Sequence, residues 1–121
     1  MLLNDKYYSL ISMREEGQHA DIFLSLRPDC DVYRGHFPGN PICPAVCNIE
    51  MIKECAQKVI GKRLQIRTIK QCRLTAIASP SICPKVEVDL QFEPNTKGYV
   101  ITARIFDPEK VYVDFKGEMT V

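Results

Sequence analysis

The second half of the chain alternates. Val86, Val88, Leu90 and Phe92 take every second position, with Lys85, Glu87, Asp89 and Gln91 between them, the period of a strand with one buried face. Pro94 to Gly98 interrupts the pattern as a hairpin turn, and Tyr99 to Phe106 is predicted as the returning strand. Asp107-Pro108-Glu109-Lys110 turns the chain again, after which Val111, Val113, Phe115, Met119 and Val121 form the inward face of a last strand. Upstream, Leu64 to Ala78 predicts one long strand whose alternation slips between Ile66 and Ile69, as at a bulge. Ser79 to Pro84 is a loop.

The first half mixes periods. A helix is predicted from about Pro44 to Ile60, with Gly61 as its C-terminal cap and Lys58, Lys62 and Arg63 complementing its negative end. At 100° per residue, Ile49, Ile52, Cys55, Ala56, Val59 and Ile60 share an apolar face. Glu50, Lys53, Glu54 and Gln57 fall opposite, on a side expected to be solvated. Val46 and Cys47 flank that side one turn earlier, so the helix is enclosed at its start and wet at its end. Asp21 to Leu26 reads as a strand, with Ile22, Leu24 and Leu26 on one face. Residues 4–13 are predicted as a short helix with Asn4 as N-cap and Tyr7, Leu10 and Ile11 on one face. Glu15-Glu16-Gly17-Gln18 is a turn, and His19 has no evident partner. One long helix against an antiparallel meander is an α+β layer architecture.

Composition narrows the class. With 121 residues, 45% hydrophobic and 26% charged, the chain is expected to form a single domain over 1–121 with a sizeable core. A net charge of +1 gives no global argument for nucleic acid or an anionic membrane. No apolar run has the length of a membrane span and the first residues lack a signal-peptide pattern, so the expected location is cytoplasmic. Six cysteines, at 30, 43, 47, 55, 72 and 83, include no Cys-x-x-Cys pair. Reduced, mostly buried thiols are expected, and no metal.

The stretch with most chemistry is HFPGNPICPAVCNIE, from His36 to Glu50. Pro38, Pro41 and Pro44 stiffen a loop that carries His36. Pro44 then opens the helix, and Glu50 follows less than two turns in. Imidazole titrates near neutral pH, a carboxyl in an apolar pocket is favoured as the protonated acid, and a helix N-terminus offers unpaired N–H groups to an oxygen gaining charge. Set against this, Glu50 is equally placed to be part of an ordinary solvated stripe.

This stretch resembles the active-site signature of the β-hydroxyacyl-acyl carrier protein dehydratases, which have the hotdog fold. His36, Phe37, Pro38, Gly39, Pro41, Pro44, Val46 and Glu50 match in register. Ala45 stands where the family usually has Gly, Glu54 where Gln is frequent, and the 79–84 loop lacks a Pro-Gly-Asp run. The resemblance implies a single hotdog domain, an antiparallel sheet wrapped around one long central helix. It implies dehydration of β-hydroxyacyl thioesters to trans-2-enoyl thioesters without a cofactor, in fatty-acid-type biosynthesis. His36 and Glu50 would be the acid–base pair, the Ala45 backbone N–H the oxyanion donor, and Phe37, Pro44, Val46 and Cys47 the substrate tunnel. The implied partners are an acyl thioester on phosphopantetheine, an acyl carrier protein, and a second copy in a homodimer with shared active sites, or a trimer of such dimers. Six basic residues from Lys58 to Arg73 (Lys58, Lys62, Arg63, Arg67, Lys70, Arg73), with no acidic residue among them, form either a carrier-docking patch or an ordinary solvated surface. Two other readings keep the fold: an acyl thioesterase in which Glu50 activates water, and a non-enzymatic acyl- or carrier-binding subunit.

Overall fold

The computed structural model of the protein describes residues 3–35 and 42–121. Strands β1 (Tyr8–Glu16) and β2 (His19–Leu26) form a hairpin. A short 3-10 helix (Asp31–Arg34) follows, then the long helix α1 (Ala45–Ile60) and strands β3 (Gln65–Leu74), β4 (Lys85–Pro94), β5 (Gly98–Phe106) and β6 (Val111–Thr120). All six strands join one antiparallel sheet in the order β1-β2-β4-β5-β6-β3. The architecture is α+β, a sheet laid around a single long helix.

The alternation along β2, β4 and β5 translates directly into burial. Ile22, Leu24, Val88, Leu90, Ile101, Ala103 and Ile105 are buried on the inner face. Met51, Ile52, Cys55 and Ala56 of α1 have no exposed surface, and each large apolar side chain so enclosed contributes about 1.5–3 kcal/mol. Gly61 ends the helix in the left-handed conformation at φ +79, its N–H donating to the Gln57 carbonyl, where any side chain would be strained.

The bulge expected in β3 is present and doubled. Register against β6 shifts between Ile66 and Thr68 and again between Ile69 and Gln71. Gly117 of β6 lies under it, for a methyl group there would stand 2.6 Å from the Thr68 carbonyl oxygen. The predicted strand overshot its end, since β3 stops at Leu74 and the chain then departs toward the 79–84 loop.

Two further expectations fail, and both involve the N-terminal turn. Residues 4–13 are not a helix. Lys6 and Tyr7 N–H groups donate to the Leu3 carbonyl in a tight turn with Asp5 at φ 65, and β1 begins at Tyr8. A register shift between Leu10 and Ser12 makes Ile11 a bulge, which breaks the two-residue period and leaves Tyr7, Leu10 and Ile11 at a spacing that imitates a helix. Nor is Glu54 solvated: it is 3% exposed. Its carboxylate accepts from Leu3 N–H at 2.8 Å, Asn4 N–H at 3.2 Å and the Tyr8 hydroxyl at 3.0 Å. Lys58 Nζ donates in turn to the Tyr8 hydroxyl at 3.2 Å. Burial pushes the Tyr8 phenol well above its ordinary range, so it remains a donor at any pH the fold tolerates. The N-terminal turn therefore covers a side of α1 assigned to water. The buried residues Cys47, Asn48, Met51, Ile52, Glu54, Cys55 and Ala56 are centred roughly 70° around the helix from the predicted face, at 100° per residue.

Glu54→Ala is expected to cost about 2–4 kcal/mol, because it strands three donors beside a buried gap. Urea unfolding measures it, and a loss under about 0.5 kcal/mol would mean the anchor is incidental.

Candidate functional site

Helix α1 begins where the proline-rich segment ends. Pro44 is its N-cap, extended at φ −66 and ψ 144 and buried, and Ala45 is its first residue. The first N–H groups of a helix have no acceptor within it, so the Ala45 N–H is available at the positive end of the helix. Val46 is 68% exposed and Cys47 buried. Glu50 lies one turn on, its side chain 19% exposed, with Lys53 Nζ 3.5 Å from its Oε1. Val46, Glu50, Lys53 and Gln57 fall on one stripe of the helix, outside its buried arc. Of the residues singled out from sequence, Pro44, Ala45, Val46, Cys47 and Glu50 are thus gathered at one helix end. His36 and Phe37 lie outside the described residues.

The chain on either side of 36–41 is held to the same place. Tyr33 of the 3-10 helix contacts Cys43 Sγ through its hydroxyl at 3.4 Å. The Cys43 N–H donates to the Ala78 carbonyl at 2.8 Å. Beneath them the Tyr7 ring packs on Tyr33, centroids 6.1 Å apart, and its hydroxyl donates to Asn48 Oδ1 at 2.8 Å. Tyr7 and Asn48 are both buried. Tyr33, Cys43, Tyr7 and the first turn of α1 form one packed unit.

All six cysteines are free thiols, four of them buried. Desolvation pushes Cys55 up to about 12 and Cys43, Cys47, Cys72 and Cys83 in the same direction, so they behave as apolar groups rather than nucleophiles. Of the basic run, Lys58 is engaged with Tyr8 and Lys70 pairs with Glu118 at 3.1 Å. No helix among the described residues is long and apolar enough to cross a membrane.

The family model described as ApeI-like, ApeI dehydratase, matches residues 12–113. The chain belongs to the ApeI-like dehydratase family. It is similar to the 3-hydroxyacyl-(acyl-carrier-protein) dehydratase FabZ of Lactiplantibacillus plantarum, 31% identical over 75 residues that cover 56% of this chain and 51% of the relative. The FabZ of Pediococcus pentosaceus is 28% identical over 88 residues, covering 67% of this chain and 59% of the relative. The chain thus matches little more than half the length of these two curated relatives. In structure it resembles a chain of the dehydratase heterocomplex ApeI:P from Xenorhabdus doucetiae, with a TM-score of 0.78 at 22% identity, covering 93% of this chain and 97% of that one. An uncharacterized protein from Erwinia carotovora subsp. atroseptica matches with a TM-score of 0.68 at 16% identity, over 93% and 95% of the two chains. These structures share the fold.

In this ApeI-like chain, sequence reasoning missed Asn48, Tyr7, Tyr33 and Cys43. Asn48 gave the one available signal: an amide in an otherwise apolar first turn must be buried, and then needs a donor or acceptor. Tyr7→Phe should cost about 1–3 kcal/mol by leaving the Asn48 amide oxygen buried without its donor, and adding Asn48→Leu should recover part of that loss. A double-mutant cycle in urea checks the coupling, and additive losses would dissolve the pair.

Proposed function

We propose that the protein removes water from β-hydroxyacyl thioesters. What carries this reading is family membership together with the sequence signature in which His36 and Glu50 both fall in register with the dehydratase pattern. His36 takes the C2 proton, the C3–O bond breaks, and the leaving hydroxide takes the Glu50 proton to depart as water while C2=C3 forms. The thioester oxygen, gaining charge as C2 is deprotonated, is met by the Ala45 N–H, a donor that survives replacement of glycine because the backbone supplies it. The ammonium of Lys53 near Glu50 also suits a role in which the carboxylate holds the departing water. The curated relatives are named as acting on carrier-bound substrates, and the substrate here is read in the same way, on phosphopantetheine of an acyl carrier protein.

The site is read as shared between two chains. Val46, assigned to the tunnel, is largely exposed, and Ile69, Leu74, Ile77 and Ile82 are exposed as well. A second copy pairing along the free β3 edge would close this surface and complete the wall beside Glu50. One observation favours a different partner: the structural neighbour is one component of a heterocomplex, so the second chain would then be a distinct dehydratase-like protein rather than a copy.

Ultraviolet absorbance of the enoyl thioester, followed alongside a thiol-reactive dye, tests the chemistry. Wild type is expected to form enoyl product without releasing thiol, and His36→Ala and Glu50→Ala each to lose about 10²–10⁴ in rate. Thiol release without enoyl product would identify a thioesterase; neither signal on any chain length would identify a binding subunit.

Sharing of the site is tested separately. Co-folded His36→Ala and Glu50→Ala chains are expected to regain part of the activity that each lacks alone. Mixed dimers that form and remain inactive would refute the shared site, and a chain that is monomeric alone but active with a second protein would select the heteromeric form.

A further inference from the structure

The outer face of the sheet, opposite α1, carries a row of charges that crosses all six strands. Cross-strand pairing sets Arg14 beside Asp21, Asp21 beside Asp89, Asp89 beside Arg104, Arg104 beside Asp114, and Asp114 beside Arg73. Every step joins opposite charges except one. Asp21 of β2 and Asp89 of β4 face each other directly, an arrangement that destabilises a sheet unless a cation lies between.

His19 occupies that place. Two residues before Asp21 on the same face of β2, it reaches diagonally across to β4. Its Nε2 is in hydrogen-bond contact with Asp89 Oδ1 and 3.6 Å from Asp21 Oδ1. The donor atoms of the three residues lie within 4.8 Å of one another, and all three side chains are partly buried. Ligands bonded to one Zn²⁺ at about 2.0–2.1 Å stand about 3.4 Å apart in a tetrahedron, so the His19–Asp21 separation already suits a shared ion. Asp89 needs to swing outward by about an ångström, which rotation of a side chain that is 25% exposed allows. Glu16, Asp21 and Asp89 act on the imidazole, and Glu87, Arg14 and Arg104 stand beside the two aspartates, four carboxylates and two guanidiniums in all. With neutral His19 this leaves the excess negative charge that one divalent ion neutralises.

We propose that His19, Asp21 and Asp89 form a divalent-metal site of the imidazole–carboxylate class that takes Zn²⁺ and similar ions, clamping β2 to β4 on the outer face. Solvent water supplies the fourth ligand. The ion displaces the proton that otherwise sits between His19 and Asp89. The site lies on the far side of the sheet from Glu50 and is independent of the catalytic reading.

The test uses the full chain stripped with a chelator, then titrated with ZnCl₂ and separately with Co²⁺. Zn²⁺ is expected to bind at one equivalent and raise the melting temperature. His19→Ala and Asp21→Asn should each weaken binding at least about tenfold, since loss of a group that merely hydrogen-bonds a ligand already costs about 10–100-fold. Asp21→Asn also removes the like-charge pair, so the metal-free variant should melt no lower than wild type, a sign opposite to that of a merely damaged fold. Bound Co²⁺ should show weak d–d bands without thiolate charge transfer, which separates this site from the six cysteines. Absence of binding, binding that survives His19→Ala, or a thiolate band would each overturn the proposal and leave His19 as a proton-bridged ion pair.

Discussion

Helix α1 is buried over an arc of about 200°, taking 100° per residue, from Glu54 round to Ala56. One sheet face cannot enclose such an arc, so a second wall is required, and a second wall set against polar helix positions must bring hydrogen-bond partners with it. The turn at residues 3–8 does both. It presents two backbone N–H groups and a phenol to Glu54, and a second phenol to Asn48. Because Tyr7 also packs on Tyr33, the same wall fixes the chain on the near side of residue 36. Placement of Pro44, Ala45 and Glu50 relative to the rest of the molecule follows from this enclosure. The carboxylate that stabilises the fold and the carboxylate assigned to chemistry are a single turn apart on the same side of the helix, Glu54 under the wall and Glu50 just past its edge.

Most of the fold was legible because most of the chain obeys a single period. β2, β4, β5 and β6 each bury alternate residues, and α1 ends at a glycine that its sequence announces. Legibility fails where a bulge mixes periods. In β3 the disturbance was visible as a slip because Leu64 and Ile66 set a period of two that Ile69 then breaks. In β1 the bulged Ile11 comes four residues into a strand with an exposed edge, and too little regular pattern remains to expose it. The error at Glu54 has another origin. Amphipathicity assigns carboxylates to water, and only tertiary structure could supply three donors from residues some fifty positions away.

The site divides similarly. Spacing within His36 to Glu50 identified the helix start, its first N–H and the carboxylate one turn later, since all of these are local consequences of a proline followed by a helix. Nothing local revealed that Val46 would stand exposed beside Glu50, nor that Tyr7 would brace Asn48, because both depend on what the sheet and the N-terminal turn leave uncovered. Ala45 is instructive here. A donor furnished by the backbone tolerates a change of side chain that a side-chain donor would not, so departure from the usual glycine is compatible with retention of the polarised N–H.

The strand order has a consequence for how the chain reaches this state. β3 follows α1 directly, yet among the described residues its one neighbour in the sheet is β6, which lies beyond two further strands and three loops. During synthesis β3 emerges long before there is anything for it to pair with, while the β4–β5–β6 meander can assemble from short loops as it appears. Closing a loop of that size carries an entropic cost that must be met before its contacts form. The doubly bulged, largely hydrophilic β3 suits a strand that waits: few of its side chains drive early collapse, and its bulges settle only when β6 brings Gly117 beneath them.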